Sequence, residues 1–402
     1  MHRLRPAEPL FLDLGPVASA HCDGCLEHLF KSLAEQPDPA DEAAIWRRHE
    51  NPWLADHVED LTAWMQRALQ AAQDAVAQAL TGRAGGTLRK AAPWERPDEA
   101  EKERRRARLA ALTPSAWTIA DWMDFAELVI ADTLPDGVIR DMAEFATVRA
   151  QLAGKVAAAL ERSARPAVPG QAAAIAEMLP VARRAMPPKW LTRIERSILD
   201  IATERAAISI AGLRDDMRRR MKTTIVEGIR RTVLGEPEGG DEVLRDRLFG
   251  EFAALNRDAR RIAVTETGEA HNTGYVAAHR PGTILRRVEA YYGACDFCRS
   301  INGRTFRVVS PDDPTRDGET DVWVGKTNAG RSASPRRREG NVLVERSPDE
   351  RWWVAAGVMH PHCRGRWIMV REPPATPVDQ PETEFDAWLA AALAKTRPNP
   401  PS

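Results

Sequence analysis

Arg260-Arg-Ile-Ala-Val-Thr-Glu-Thr-Gly-Glu-Ala-His-Asn-Thr-Gly274 reads as a helix, and two metal-type pairs come after it, Cys295-Asp-Phe-Cys298 and His360-Pro-His-Cys-Arg364. On that helix Thr265, Glu269, Asn272 and Val276 share one largely polar stripe. Ala263, Thr267, Ala270, Gly274 and Ala277 or Ala278 make a second face of small residues, suited to close helix contact. Glu266 sits between the two. It can serve as a general base beside Thr and Asn. The blander reading joins Thr265, Glu266, Glu269 and Asn272 in a hydrogen-bonded network that fixes the helix to a β-containing module downstream.

Two ligands separated by two residues reach one metal because a tight turn points both side chains inward, and zinc takes four thiolate or imidazole donors tetrahedrally. The predicted set is Cys295, Cys298, His360 and Cys363, with His362 as the alternative imidazole. Four protein donors leave no place for water, so such a site is structural. The residues leave two other readings open, a Cys295–Cys298 redox pair and cysteines that are merely buried. Cys22 and Cys25, with His21 and His28, offer a weaker second candidate because no further thiolate pair answers them.

Upstream, apolar residues at helical spacing recur from Asp41 to Leu80, through Leu54, Val58, Leu61, Trp64 or Met65, and Leu69. The segment Glu95 to Arg108 alternates both charge signs and reads as a solvated helix face or linker. Thr113-Pro114 marks a helix start. Helical patterns then cover 115–133, 136–163, 170–186, 189–212, 214–234 and 241–255, with Asn256 as the cap of the helix carrying Glu266. Downstream the pattern changes. Ile284–Tyr292, Thr305–Val309, Asp321–Val324, Asn341–Val344 and Arg366–Val370 read as short strands, and Asn302-Gly303 as a turn.

Between these strands, Asp312–Asp321 is acidic and Lys326–Arg338 is basic, a composition that reads as flexible and exposed. Lys326, Arg331, Arg336, Arg337 and Arg338 are the candidate DNA contacts. A Pro-rich stretch, Pro373–Pro381, precedes an amphipathic helix with Phe385, Trp388, Leu389 and Leu393 on one face. That face suits either a docking peptide or a return onto the chain's own body.

The expected fold class is therefore α+β: a mostly helical body to about residue 280, then a small β-containing module stapled by metal. The expected division is 1–110 and 111–188 as helical regions, 189–372 as the helix-plus-β domain, and 373–402 as linker and terminal helix. With 402 residues, 43% apolar and 29% charged, the chain is an ordinary globular one of two or three domains. A net charge of −1 gives no global pull toward nucleic acid. No run approaches the roughly 18 apolar residues of a membrane span, and no secretory leader is evident, so a cytoplasmic setting and no membrane partner are expected. Gly-rich nucleotide loops, serine elbows and His-Glu-x-x-His are missing from the sequence.

The run Arg-Arg-Ile-Ala-Val-Thr-Glu-Thr through Ala-His-Asn-Thr-Gly274 resembles the corresponding helix of tailed-phage head morphogenesis proteins, the phage Mu F-like minor head proteins. A strand, Cys-x-x-Cys, Asn302-Gly303-Arg-Thr-Phe and His360-Pro-His-Cys-Arg364 come next in that family's order, and the likeness covers about 200–372. Val264 departs from the family's Arg, His362 from its Asn, and Gly365 from its last Cys. The resemblance implies a minor capsid protein that acts in head assembly, contacts portal and capsid subunits, and in some systems touches DNA. Its implied location is the virion head, or the host cytoplasm during assembly. The alternative from another class is a zinc-containing nuclease or transferase with Glu266 in its active site.

Overall fold

The computed structural model describes residues 51–80, 99–163, 169–236, 240–291, 293–371 and 383–396. His21, Cys22, Cys25 and His28 lie outside these residues. The helices are α1 (Ala55–Leu80), α2 (Glu99–Ala110), α3 (Ile119–Thr133), α4 (Asp136–Arg162), α5 (Pro169–Glu177), α6 (Arg193–Val233), α7 (Asp241–Ala277), α8 (Asp296–Ile301) and α9 (Glu384–Lys395). The strands are β1 (Ile284–Val288), β2 (Thr305–Val308), β3 (Asp321–Val322), β4 (Arg336–Glu339), β5 (Val342–Glu345) and β6 (Arg366–Arg371). The architecture is α+β, mostly helical with a small strand module after α7.

Several boundaries differ from the sequence reading. The patterns at 189–212 and 214–234 form one helix, α6, of 41 residues. The stretches 241–255 and 256–279 likewise merge into α7, so Asn256 is an interior residue and not a cap. Neither junction contains proline, and nothing else there forces a break. Thr113-Pro114 opens only a short 3-10 turn, Pro114–Ala116. The helix proper begins four residues later, where Thr118 and Asp121 form a reciprocal capping box.

The chain divides into two compact units made of discontinuous stretches: Met1–Leu61, Asp141–Ile208 and Arg260–Ser402 in one, Thr62–Arg140 and Ser209–Ala259 in the other. In the second unit, Met65, Leu69, Phe125, Ile130, Met217, Met221 and Phe252 are buried. Its surface carries ion pairs. The charged helix α2 is held to α3 by Arg105–Asp124 at 3.0 Å and Arg108–Asp121 at 2.9 Å.

In the first unit, α4 and α7 approach closely. A Cβ on Gly154 would lie 2.1 Å from the His271 carbonyl oxygen, and one on Gly274 would lie 2.4 Å from the Gln151 carbonyl oxygen. The small face read from the sequence thus places backbone against backbone. The sheet has the order β3-β2-β1-β6. β1 is antiparallel to both β2 and β6, while β3 joins β2 in parallel. Leu285, Phe306, Val322 and Trp367 line its core together with Tyr275 and Val276 of α7. The connection between β1 and β2 carries α8, and Gly303, at φ 83°, turns the chain into β2.

A candidate metal centre beneath a polar helix

Helix α7 meets the segment 357–365 through its polar stripe. Thr265 Oγ1 accepts the His362 backbone N–H at 3.1 Å, and Glu269 Oε2 accepts that of Val358 at 2.6 Å. Asn272 Nδ2 donates to the Gly365 carbonyl at 2.8 Å. These bonds satisfy backbone groups in a stretch that has no strand partner, which is why polar side chains stand on a buried helix face. A Cβ on Gly357 would lie 1.8 Å from a Glu269 carboxylate oxygen, so a side chain there would displace the carboxylate that the Val358 N–H and Arg205 hold.

Glu266 turns another way. Its carboxylate accepts two hydrogen bonds from Arg205 of α6, at 3.0 and 2.9 Å, and Arg205 also pairs with Glu269 at 3.0 Å. Arg205 is half-buried, and the two carboxylates outweigh its desolvation to hold the guanidinium charged. A carboxylate committed in this way to a guanidinium is a poor general base.

The cysteine and histidine pairs converge. Cys295 caps α8 and its Sγ accepts the Cys298 N–H at 3.5 Å, so one helix turn presents both sulfurs on one side. His360 Nε2 lies 3.2 Å from each of the two sulfurs. Donors around a tetrahedral zinc stand roughly 3.5 Å apart, given metal–ligand bonds of 2.0 to 2.3 Å. The other imidazole nitrogen, Nδ1, is 2.7 Å from the Pro361 carbonyl oxygen. A proton on Nδ1 directed there leaves the Nε2 lone pair for a metal. The His360 ring stacks on Trp352 at 5.5 Å. Cys295, Cys298 and His360 can therefore hold a metal ion.

Cys363 lies deeper, in a second buried cluster with Glu289 and the shared Cys298. The alternative ligand His362 does not join either cluster. Its φ of 70° directs the backbone N–H to Thr265, and its half-buried side chain lies in the field of Arg261, His360 and Arg364. Burial and those cations keep it neutral.

The electrostatics suit a cation. A hydrogen bond from Cys298 pulls the Cys295 thiol down to about 4, against burial and aided by His360. Burial opposes charge on His360, but the hydrogen bond and charge of Cys295, with Cys363 beyond, push it up to about 9. Burial and the Cys363 charge raise the Glu289 carboxyl to about 7, although Arg287 Nε lies 2.6 Å away. Protons on His360 and Glu289 thus compensate for crowded anions, a task a divalent metal performs when bound.

Sequence reading passed over Arg287 and Glu289. The available signal was alternation: β1 points Leu285 and Arg287 inward, and a charge at an inward strand position needs a buried partner.

The basic segment is not a loose loop. Lys326 is only 2% exposed, and its Nζ donates to the Gly318 and Asp321 carbonyls at 2.7 Å each. It lies 4.9 Å from the rings of both Trp323 and Trp353, and burial lowers its ammonium to about 8. Arg331 stacks on Trp353 at 3.6 Å. Lys326 is therefore a buried pillar and not a DNA contact, while Arg331 is half-buried against an aromatic face. Arg336, Arg337 and Arg338 form strand β4, paired with β5; Arg336 and Arg338 are exposed, and Arg337 is ion-paired to Glu339 at 2.7 Å.

Helix α9 is likewise not free to dock elsewhere. Phe385 and Leu389 are buried with Leu152, Trp190 and Leu199, and Trp388 and Leu393 pack at the edge of that cluster. Its apolar face is used within the chain. No helix among the described residues is long and apolar enough to cross a membrane. No known family profile, curated protein or solved structure matches the chain.

Proposed function

We propose that the chain is a minor head protein of a tailed phage or prophage, working in head assembly by contact with portal and capsid subunits. The observation that carries this reading is the meeting of its separate motifs. The Thr265–Asn272 helix, the Cys-x-x-Cys turn and the His-x-x-Cys segment resemble one family in order, and they converge on a single hydrogen-bonded module. Three thiolates and an imidazole favour zinc, and a donor set filled by protein suits a structural staple. The commitment of Glu266 to Arg205 favours assembly over hydrolysis or group transfer. Arg338, and Arg336 beside its exposed partner Glu345, are the surface cations that suit a secondary, salt-sensitive contact with packaged DNA.

Co-expression with the portal and capsid proteins of the same phage or prophage tests the assignment. Recovery of the chain in heads, and defective heads on its deletion, are the expected results. Normal heads without it, together with no capture by portal protein, overturn the reading.

A further inference from the structure

Glu289 is a carboxylate with no exposed side-chain surface, set among thiols. Its two oxygens lie 3.6 and 3.5 Å from Cys363 Sγ, and one of them is within 4.8 Å of both Cys298 Sγ and Cys363 Sγ. Room for it is built into the chain. A Cβ on Gly365 would lie 2.1 Å from Glu289 Oε1, so any side chain at 365 would claim the carboxylate's volume. The backbone N–H of Glu289 is fixed by Asn302 Oδ1 at 2.8 Å, and Oε1 is held by Arg287 at 2.6 Å. Oε2 is turned toward Cys363.

Charge decides what this arrangement is for. Cys295, Cys298, Cys363 and Glu289 crowd acidic groups into a largely buried space, where an uncompensated charge is strongly unfavourable. Arg287, fully buried and bonded to Glu289 and the Gly357 carbonyl, supplies one positive charge. It also lies 3.5 Å from Cys363 Sγ, where its positive charge disfavours a second metal in the Glu289–Cys298–Cys363 cluster. One divalent ion near the shared Cys298 would supply the remaining compensation.

We infer that Glu289 is a ligand of this centre, offering an oxygen donor that exchanges with the Cys363 thiolate for the fourth position on a single metal ion. The inference rests on the metal reading of Cys295, Cys298 and His360 and adds a donor that Cys and His spacing does not reveal. Arg287 is then a positioning residue that holds both exchangeable donors beside the shared sulfur.

Full-length protein refolded with cobalt(II) tests this by metal stoichiometry and absorption. Cys363→Ala should keep one cobalt, with thiolate charge-transfer absorption falling by about a third as three sulfurs become two. Glu289→Gln alone should keep one cobalt with undiminished charge transfer, which also shows that the site folds with a neutral side chain at 289. Cys363→Ala combined with Glu289→Gln should lose the metal while its far-ultraviolet helical signal stays unchanged. If Cys363→Ala loses cobalt as completely as Cys298→Ser, the role of Glu289 is overturned and the metal reading stands. If wild-type protein takes up neither cobalt nor zinc, both fall.

Discussion

The β module and helix α9 are both fixed to the first compact unit, by opposite means. The module is held by directional contacts: three side chains of α7 bonded to backbone groups, and a cluster of sulfur and nitrogen donors. Helix α9 is held by shape and apolar area, with Phe385 edge-on to Trp190 at 5.5 Å and Lys155 Nζ 5.0 Å from its ring. Directional contacts fix position sharply and fail abruptly when a partner is lost. Apolar contacts tolerate exchange between similar shapes and fail in proportion to the volume removed.

Removing the metal should separate the two most widely. Structural zinc contributes on the order of 10 kcal/mol in small metal-folded peptides. Chelation should therefore release the module, change the fluorescence of Trp352 beside His360, and leave most of the helical signal in place. Equal loss of helix and module on chelation would break the comparison. Phe385→Ala comes next, at about 3–5 kcal/mol for a buried ring. Urea denaturation followed by proteolysis within α9 should show that helix loosening while metal content is unchanged.

The smallest of the three is Glu269→Ala, which leaves the Val358 N–H without its acceptor and Arg205 with Glu266 alone, at about 1–3 kcal/mol. Hydrogen exchange at the Val358 amide should rise before exchange elsewhere in the core. An unchanged rate there would mean the polar stripe does not anchor the module.

The outline of this fold was legible because local signals agreed with it. Alternation and β-favouring residues marked five of the six described strands, all but β4, and Cys-x-x-Cys with His-x-x-Cys marked the candidate metal donors. What stayed hidden depended on distant partners. Lys326 looks like a solvated cation in sequence, and only the Trp323 and Trp353 rings and two carbonyls make its burial tolerable. Arg336-Arg-Arg338 looks like a mobile basic run, yet it pairs as β4 because Val342–Glu345 lies opposite. The choice between His360 and His362 was undecidable from spacing. It is settled by a left-handed backbone at 362 that gives its N–H to Thr265.

The two glycines beside carboxylates, Gly357 against Glu269 and Gly365 against Glu289, carry a consequence for sequence divergence. Each pair shares one side chain's worth of space between two positions far apart in the chain. A drifting lineage can place that bulk at either position but not at both. Related chains should therefore exchange size across 269 and 357, and across 289 and 365, in a compensatory way. A chain with a cysteine at 365 should then carry a small residue at 289, with its fourth donor supplied from position 365.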